Sequence, residues 1–130
     1  KKTTHIEKLY IDPDNFEKMD EALVIHPQQL KWAQKFEKES FDEVHISNTP
    51  SSLINHKYFF YINKLLKKRG MVVMLVSQKI SVLQDLDSEE IVANAKLAGF
   101  YNVEVDNYEH FTHEDGHDMK HQTLRVTMLK

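Results

Sequence analysis

The stretch from Phe41 to Val76 constrains this chain more than any other. Phe41-Asp-Glu-Val-His-Ile-Ser47 reads as a strand, Asn48-Thr-Pro-Ser-Ser52 as a loop and Leu53–Arg69 as an amphipathic helix. Gly70 then reads as a stop and Met71-Val-Val-Met-Leu-Val76 as an apolar strand. Strand, crossover helix and strand make a βαβ unit, which predicts a parallel sheet. In the helix, Ile54, Tyr58, Ile62, Leu65 and Leu66 recur at helical spacing, and Leu53, Phe59 and Phe60 widen the stripe. Ser51 or Ser52 is the expected N-cap. Lys64, Lys67, Lys68 and Arg69 gather where cations meet the negative end of a helix, with Gly70 as the left-handed stop. An anion site is the functional alternative for that basic cluster, but capping already accounts for it. Met71–Val76 lacks alternation, which predicts a central strand buried on both faces by helices.

The rest of the chain arranges itself around this unit. Ile6–Ile11 reads as a strand closed by Asp12-Pro13, and Asp14-Asn15 caps a short helix over Phe16–Ala22. Leu23–Ile25 reads as a third strand and Gln28–Lys38 as an amphipathic helix. Ile80–Leu86 is a connection with apolar anchors. Asp87 caps a helix with Glu90 at capping-box spacing, with Ile91, Val92, Ala95 and Ala98 facing inward until Gly99 ends it. Tyr101–Val105 and Leu124–Met128 alternate with period two, as an antiparallel pair joined by a polar connection, Asp106–Gln122. The expectation is one α/β domain over residues 1–130. It has three layers, a mostly parallel sheet with helices on both faces, and an antiparallel C-terminal hairpin.

Composition narrows the chemistry. The 130 residues suffice for one core and not two. With 17 basic and 20 acidic side chains the net charge is −3, and no basic stripe of the kind that nucleic acid requires is visible. The absence of cysteine removes disulfides, thiolate metal sites and a cysteine nucleophile, and leans toward a reducing, cytoplasmic setting. No apolar run is long enough to span a bilayer. Because the chain starts at Lys1 rather than Met, an excised domain or a processed product is expected, truncated before the first strand.

The order of motifs resembles the second half of a class I S-adenosylmethionine methyltransferase: Phe41-Asp42 opening a strand, Leu65-Leu-Lys-Lys-Arg-Gly70, an apolar strand, Leu97-Ala-Gly-Phe100 and a terminal hairpin. The resemblance covers about Ser40 to Leu129. It implies a cofactor held over a glycine-rich turn after the first strand, since glycine lets the backbone approach the ligand closely. Here the three glycines are at 70, 99 and 116, and none precedes Gly70. The resemblance would make Asp12 the acid that holds the cofactor ribose, whereas locally Asp12-Pro13-Asp14-Asn15 is a turn and cap. Asn48-Thr49-Pro50 stands where amino-methyltransferases carry an Asn-Pro-Pro-aromatic motif, without its middle proline and its aromatic. Gln29-Leu30, Glu39-Ser-Phe-Asp42 and Leu65–Gly70 also resemble the N-terminal domain of the anamorsin family, of cytosolic iron-sulfur assembly. That resemblance implies a docking domain for a diflavin reductase, with no cofactor of its own.

Three further constellations carry possible chemistry. His110, His113, His117 and His121 would share one face if the segment were helical, a candidate metal site, although Glu114-Asp115-Gly116 argues for a polar loop. His45, between Val44 and Ile46, reads as a satisfied strand histidine, and His26 precedes a proline turn. Four consecutive aromatics, Tyr58-Phe-Phe-Tyr61, cannot all be buried on one helix, so Tyr58, Phe59 and Tyr61 are candidate partner contacts. Two function classes follow. One is a non-catalytic methyltransferase-like module that binds a protein partner, and the alternative is a divergent or truncated S-adenosylmethionine-dependent methyltransferase.

Overall fold

The computed structural model describes residues 6–12, 23–25, 38–47 and 54–130. In chain order the elements are β1 (Lys8–Ile11), β2 (Leu23–Ile25), β3 (Phe41–Ile46), α1 (His56–Leu65), β4 (Leu66–Ser81), α2 (Ser88–Leu97), β5 (Tyr101–Glu114) and β6 (His117–Leu129). The strands form one six-stranded sheet in the order β2-β1-β3-β4-β6-β5. β1 pairs in parallel with β2 and β3, and β3 with β4, while β6 runs antiparallel between β4 and β5. The sheet is therefore mixed, with the antiparallel pairings confined to the C-terminal hairpin strand β6 and the other strands pointing one way, as the sequence suggests. The expected helix Phe16–Ala22, most of Gln28–Lys38, His26, Asn48–Pro50 and both serines at 51 and 52 lie outside the described residues.

The core is legible as rows across the sheet. Leu9, Val44, Val72 and Met128 are register neighbours, as are Ile11, Ile46, Met74 and Val126, and all eight side chains are buried. α1 and α2 pack against each other and onto these rows through Phe59, Ile62, Leu65, Ile91 and Ala95. Burying a side chain such as Phe59 or Ile62 in full contributes about 1.5–3 kcal/mol. Both described helices thus cover one face. The expectation that Met71–Val76 is buried on both faces is met in part: Val72, Met74 and Val76 are buried, while on the other face Met71 and Val73 are partly buried and Leu75 is 37% exposed.

The helix–strand junction departs most from expectation. α1 starts at His56, not Leu53, because Asn55 is the N-cap and its Oδ1 accepts from the Lys57 and Tyr58 amides, both at 3.0 Å. It stops at Leu65, so of the basic cluster only Lys64 lies in its last turn. Its C-terminal carbonyls are satisfied from across the sheet by Lys130, whose Nζ donates to Asn63 O and Leu66 O, each at 2.7 Å. Lys67 instead reaches Asp42 at 3.4 Å, and Asp42 also accepts the Glu7 amide at 2.9 Å. Gly70 is not the left-handed residue; Arg69 is, at φ 68°. Glycine is needed at 70 because a Cβ there would lie 2.6 Å from Leu66 Cδ2 and 2.7 Å from Lys67 O.

The last two strands are much longer than their apolar alternation suggests. What reads as a polar connection is a continuous hairpin closed by Asp115 (φ 51°) and Gly116 (φ 78°), the two positive angles of a type I′ turn. Asp-Gly is the strongest short hairpin signal in a sequence. Polar side chains at Asp106–Gln122 masked it.

Gly70→Ala is expected to destabilise the domain by about 1–3 kcal/mol, the cost of overpacking against backbone. Urea unfolding checks this, and an unchanged midpoint would mean that the Leu66–Gly70 segment can relax away.

Candidate functional site

In open α/β sheets, ligands bind beyond the carboxyl ends of the strands where the strand order reverses. Here the chain steps from β1 outward to β2 and returns to the other side of β1 as β3, so the reversal lies between β1 and β3. Their carboxyl ends are tied by the Ser47 amide, which donates to Ile11 O at 2.9 Å. Asp12, the ribose candidate, directly follows β1 at this edge and is partly buried. The direct pairing Leu9↔Val44 leaves no space between the two strands for another.

One strand further along the same edge lies a cleft of about 410 Å³. Its apolar lining is Ile54, Ile80, Leu86 and Ile91. Carboxylates of Asp85, Asp87 and Glu90 rim it at the start of α2. Asp87 caps that helix as the capping-box spacing predicts, its Oδ1 accepting the Glu90 amide at 3.0 Å. Asp85 accepts from Lys120 Nζ at 2.6 Å. No sequence pattern announced this cleft, because its residues come from four separate segments.

The histidines fall on the hairpin, where strand parity decides their faces. His110 and His121 are directly opposite and stack at 4.5 Å, and His117 shares their face opposite Glu114. His113 points to the other face and bonds Asp118 at 2.8 Å. The helical spacing that united the four does not apply to strands. Among the described residues, no group of three or more His, Cys, Asp or Glu side chains converges to hold a metal ion. Instead Glu114 organises a surface network: Lys79 Nζ donates to it at 2.9 Å, Thr112 Oγ1 at 2.6 Å, and His121 Nε2 lies at 3.3 Å. The Thr112 hydroxyl, and then the Lys79 ammonium, hold its carboxyl down to about 2.

Of the aromatic partner candidates, Tyr58 and Phe59 are core residues, Phe59 fully so, and Tyr61 is partly buried. The ring left in solvent is Phe60, 49% exposed, with Lys64 Nζ 4.9 Å from its centroid. His45 is satisfied, as its strand position suggests, by Glu43 at 2.8 Å and by stacking on Tyr10 at 5.0 Å.

Because the folded pKa of Glu114 lies below its ordinary 4.5, its contribution to hairpin stability is present above 4.5 and is lost as pH falls toward about 2. A side-chain carboxyl NMR titration is expected to give a Glu114 midpoint near 2, moving up in Thr112→Val. A midpoint at 4.5 would mean that the network does not form.

No protein-family model matches the sequence, and no curated protein matches it significantly. Solved structures do match in fold. A phosphoethanolamine N-methyltransferase 2 of Haemonchus contortus, in complex with phosphomonomethylethanolamine and S-adenosylhomocysteine, aligns over 99% of this chain at TM-score 0.67 and 14% identity. The chain covers 50% of that protein's length. An S-adenosylmethionine-dependent methyltransferase of Archaeoglobus fulgidus aligns over 96% of this chain and 86% of its own, at TM-score 0.66 and 9% identity. A possible histamine N-methyltransferase of Thermotoga maritima aligns over 98% and 84%, at TM-score 0.58 and 14% identity. At such identities the likeness is one of architecture, and the architecture is that of the class I S-adenosylmethionine-dependent methyltransferases.

Proposed function

We propose that the chain is a divergent S-adenosylmethionine-dependent methyltransferase domain. In this reading its cofactor edge is the strand reversal between β1 and β3, and the neighbouring cleft seats the acceptor. The observation that carries it is an acid, Asp12, at the carboxyl end of β1 in a sheet whose order reverses there. The fold likeness over nearly the whole chain supports it. A carboxylate at that position suits the vicinal hydroxyls of a ribose, as in dinucleotide sites. The methionine end of the cofactor fits less well, since no glycine precedes Gly70 to let the backbone approach it. The chain's own contribution in this reading is therefore binding and orientation. The acidic rim of the cleft favours a cationic acceptor over an anionic one.

A second reading, a non-catalytic docking module of the anamorsin type, is favoured by the closed β1–β3 pairing and by Phe60 in solvent on α1. Calorimetric titration with S-adenosylmethionine and S-adenosylhomocysteine separates the two. A micromolar constant is expected, weakened about ten- to a hundredfold in Asp12→Ala with unchanged melting, the worth of one hydrogen bond to a charged group. Binding that is absent or millimolar would favour the docking module. An Asp12→Ala constant equal to wild type would remove Asp12 from the site.

A further inference from the structure

Two polar side chains are buried among the described residues, Lys120 at 4% and Gln122 at 3% exposure, and both sit on β6. They continue the buried face of Leu124, Val126 and Met128, where apolar residues would pack without the cost of desolvation. Both direct hydrogen bonds to a single loop. Lys120 Nζ donates to Asp85 Oδ1 at 2.6 Å, and Gln122 Oε1 accepts the Leu86 amide at 2.7 Å. Gln122 is itself held by Asn107 at 3.0 Å. That loop runs from Val82 to Asp87 between β4 and α2, and Gln84 to Asp87 form a wall of the cleft.

We propose that residues 82–87 are a hinged wall of the cleft, held closed by a two-point latch from β6. The latch has a fixed end and a free end. The Lys120 side chain is 5% exposed and anchored in the sheet, whereas the Asp85 side chain is 73% exposed. The loop's other backbone bonds lie at its two ends, where they serve as the hinges: Gln84 N to Ser81 O at 3.0 Å and Leu83 N to Ser81 Oγ at 3.3 Å where β4 ends, and Ser88 N to Leu86 O at 3.0 Å where α2 begins. Leu86 is 9% exposed and seats the wall in the core, while Leu83, at 91%, has no packing to lose on opening. Releasing Asp85 and the Leu86 amide therefore swings the wall out, widens the cleft and uncovers the Lys120 ammonium. Lys120 and Gln122 are positioning residues, and the latch controls access to the cleft.

Hydrogen exchange of the intact chain tests this without any cofactor, so its outcome is independent of the methyltransferase reading. Asp85→Asn alters an exposed side chain and leaves the core packing alone. It is expected to speed exchange of the Leu83–Asp87 amides at least about fivefold by local opening, while β6 and the later turns of α2 keep wild-type protection. The chain has no cysteine, so a single thiol introduced by Leu86→Cys gives a second readout, labelled faster when Asp85→Asn is added. Loop exchange at the wild-type rate in Asp85→Asn, with thiol labelling of the double variant no faster than that of Leu86→Cys alone, would overturn the latch. So would loss of protection across β6 and α2 together, since the contact would then support the whole fold and not the loop.

Discussion

The direct pairing of β1 with β3 is the constraint on which the rest of the architecture depends. It aligns Leu9 with Val44 and Ile11 with Ile46, starting the buried rows that β4 and β6 complete. It also creates the reversal of strand order that puts Asp12 and Ser47 side by side at one edge. The same pairing closes the sheet between these two strands. An architecture shared with S-adenosylmethionine-dependent methyltransferases thus comes with direct pairing at the point where the strand order reverses.

A second dependency runs through the start of the sheet, where several backbone segments crowd together. Asp42 collects the Glu7 amide and the Lys67 ammonium, Gly70 passes under Leu66, and the Lys130 side chain closes the end of α1. Lys130 therefore caps a helix that ends 65 residues earlier in the sequence. Such a contact ties the hairpin to the crossover.

Much of the sequence was legible because apolar spacing reports burial directly. Val44, Ile46, Ile62, Ile91 and Ala95 are buried as their periodicity indicates, and Asp87 caps α2 as its spacing to Glu90 indicates. The misreadings share a cause. Lys120 and Gln122 occupy buried strand positions but are polar, so the hairpin and its histidines read as a polar loop. The Asp115-Gly116 pair was the available signal that they are not. Leu75 is apolar yet exposed, so β4 seemed covered on both faces.

By itself the sequence determined which segments are strands and helices near the core, because a period of two or 3.6 in apolar side chains permits few alternatives. It also determined that no thiol chemistry comes from these 130 residues, since none of them is cysteine. Only the tertiary structure decided strand order, the faces of the hairpin histidines, the cleft and the two buried anchors behind its wall. Those depend on contacts between residues far apart in the chain, and local spacing carries no record of which distant partner will satisfy a buried polar group.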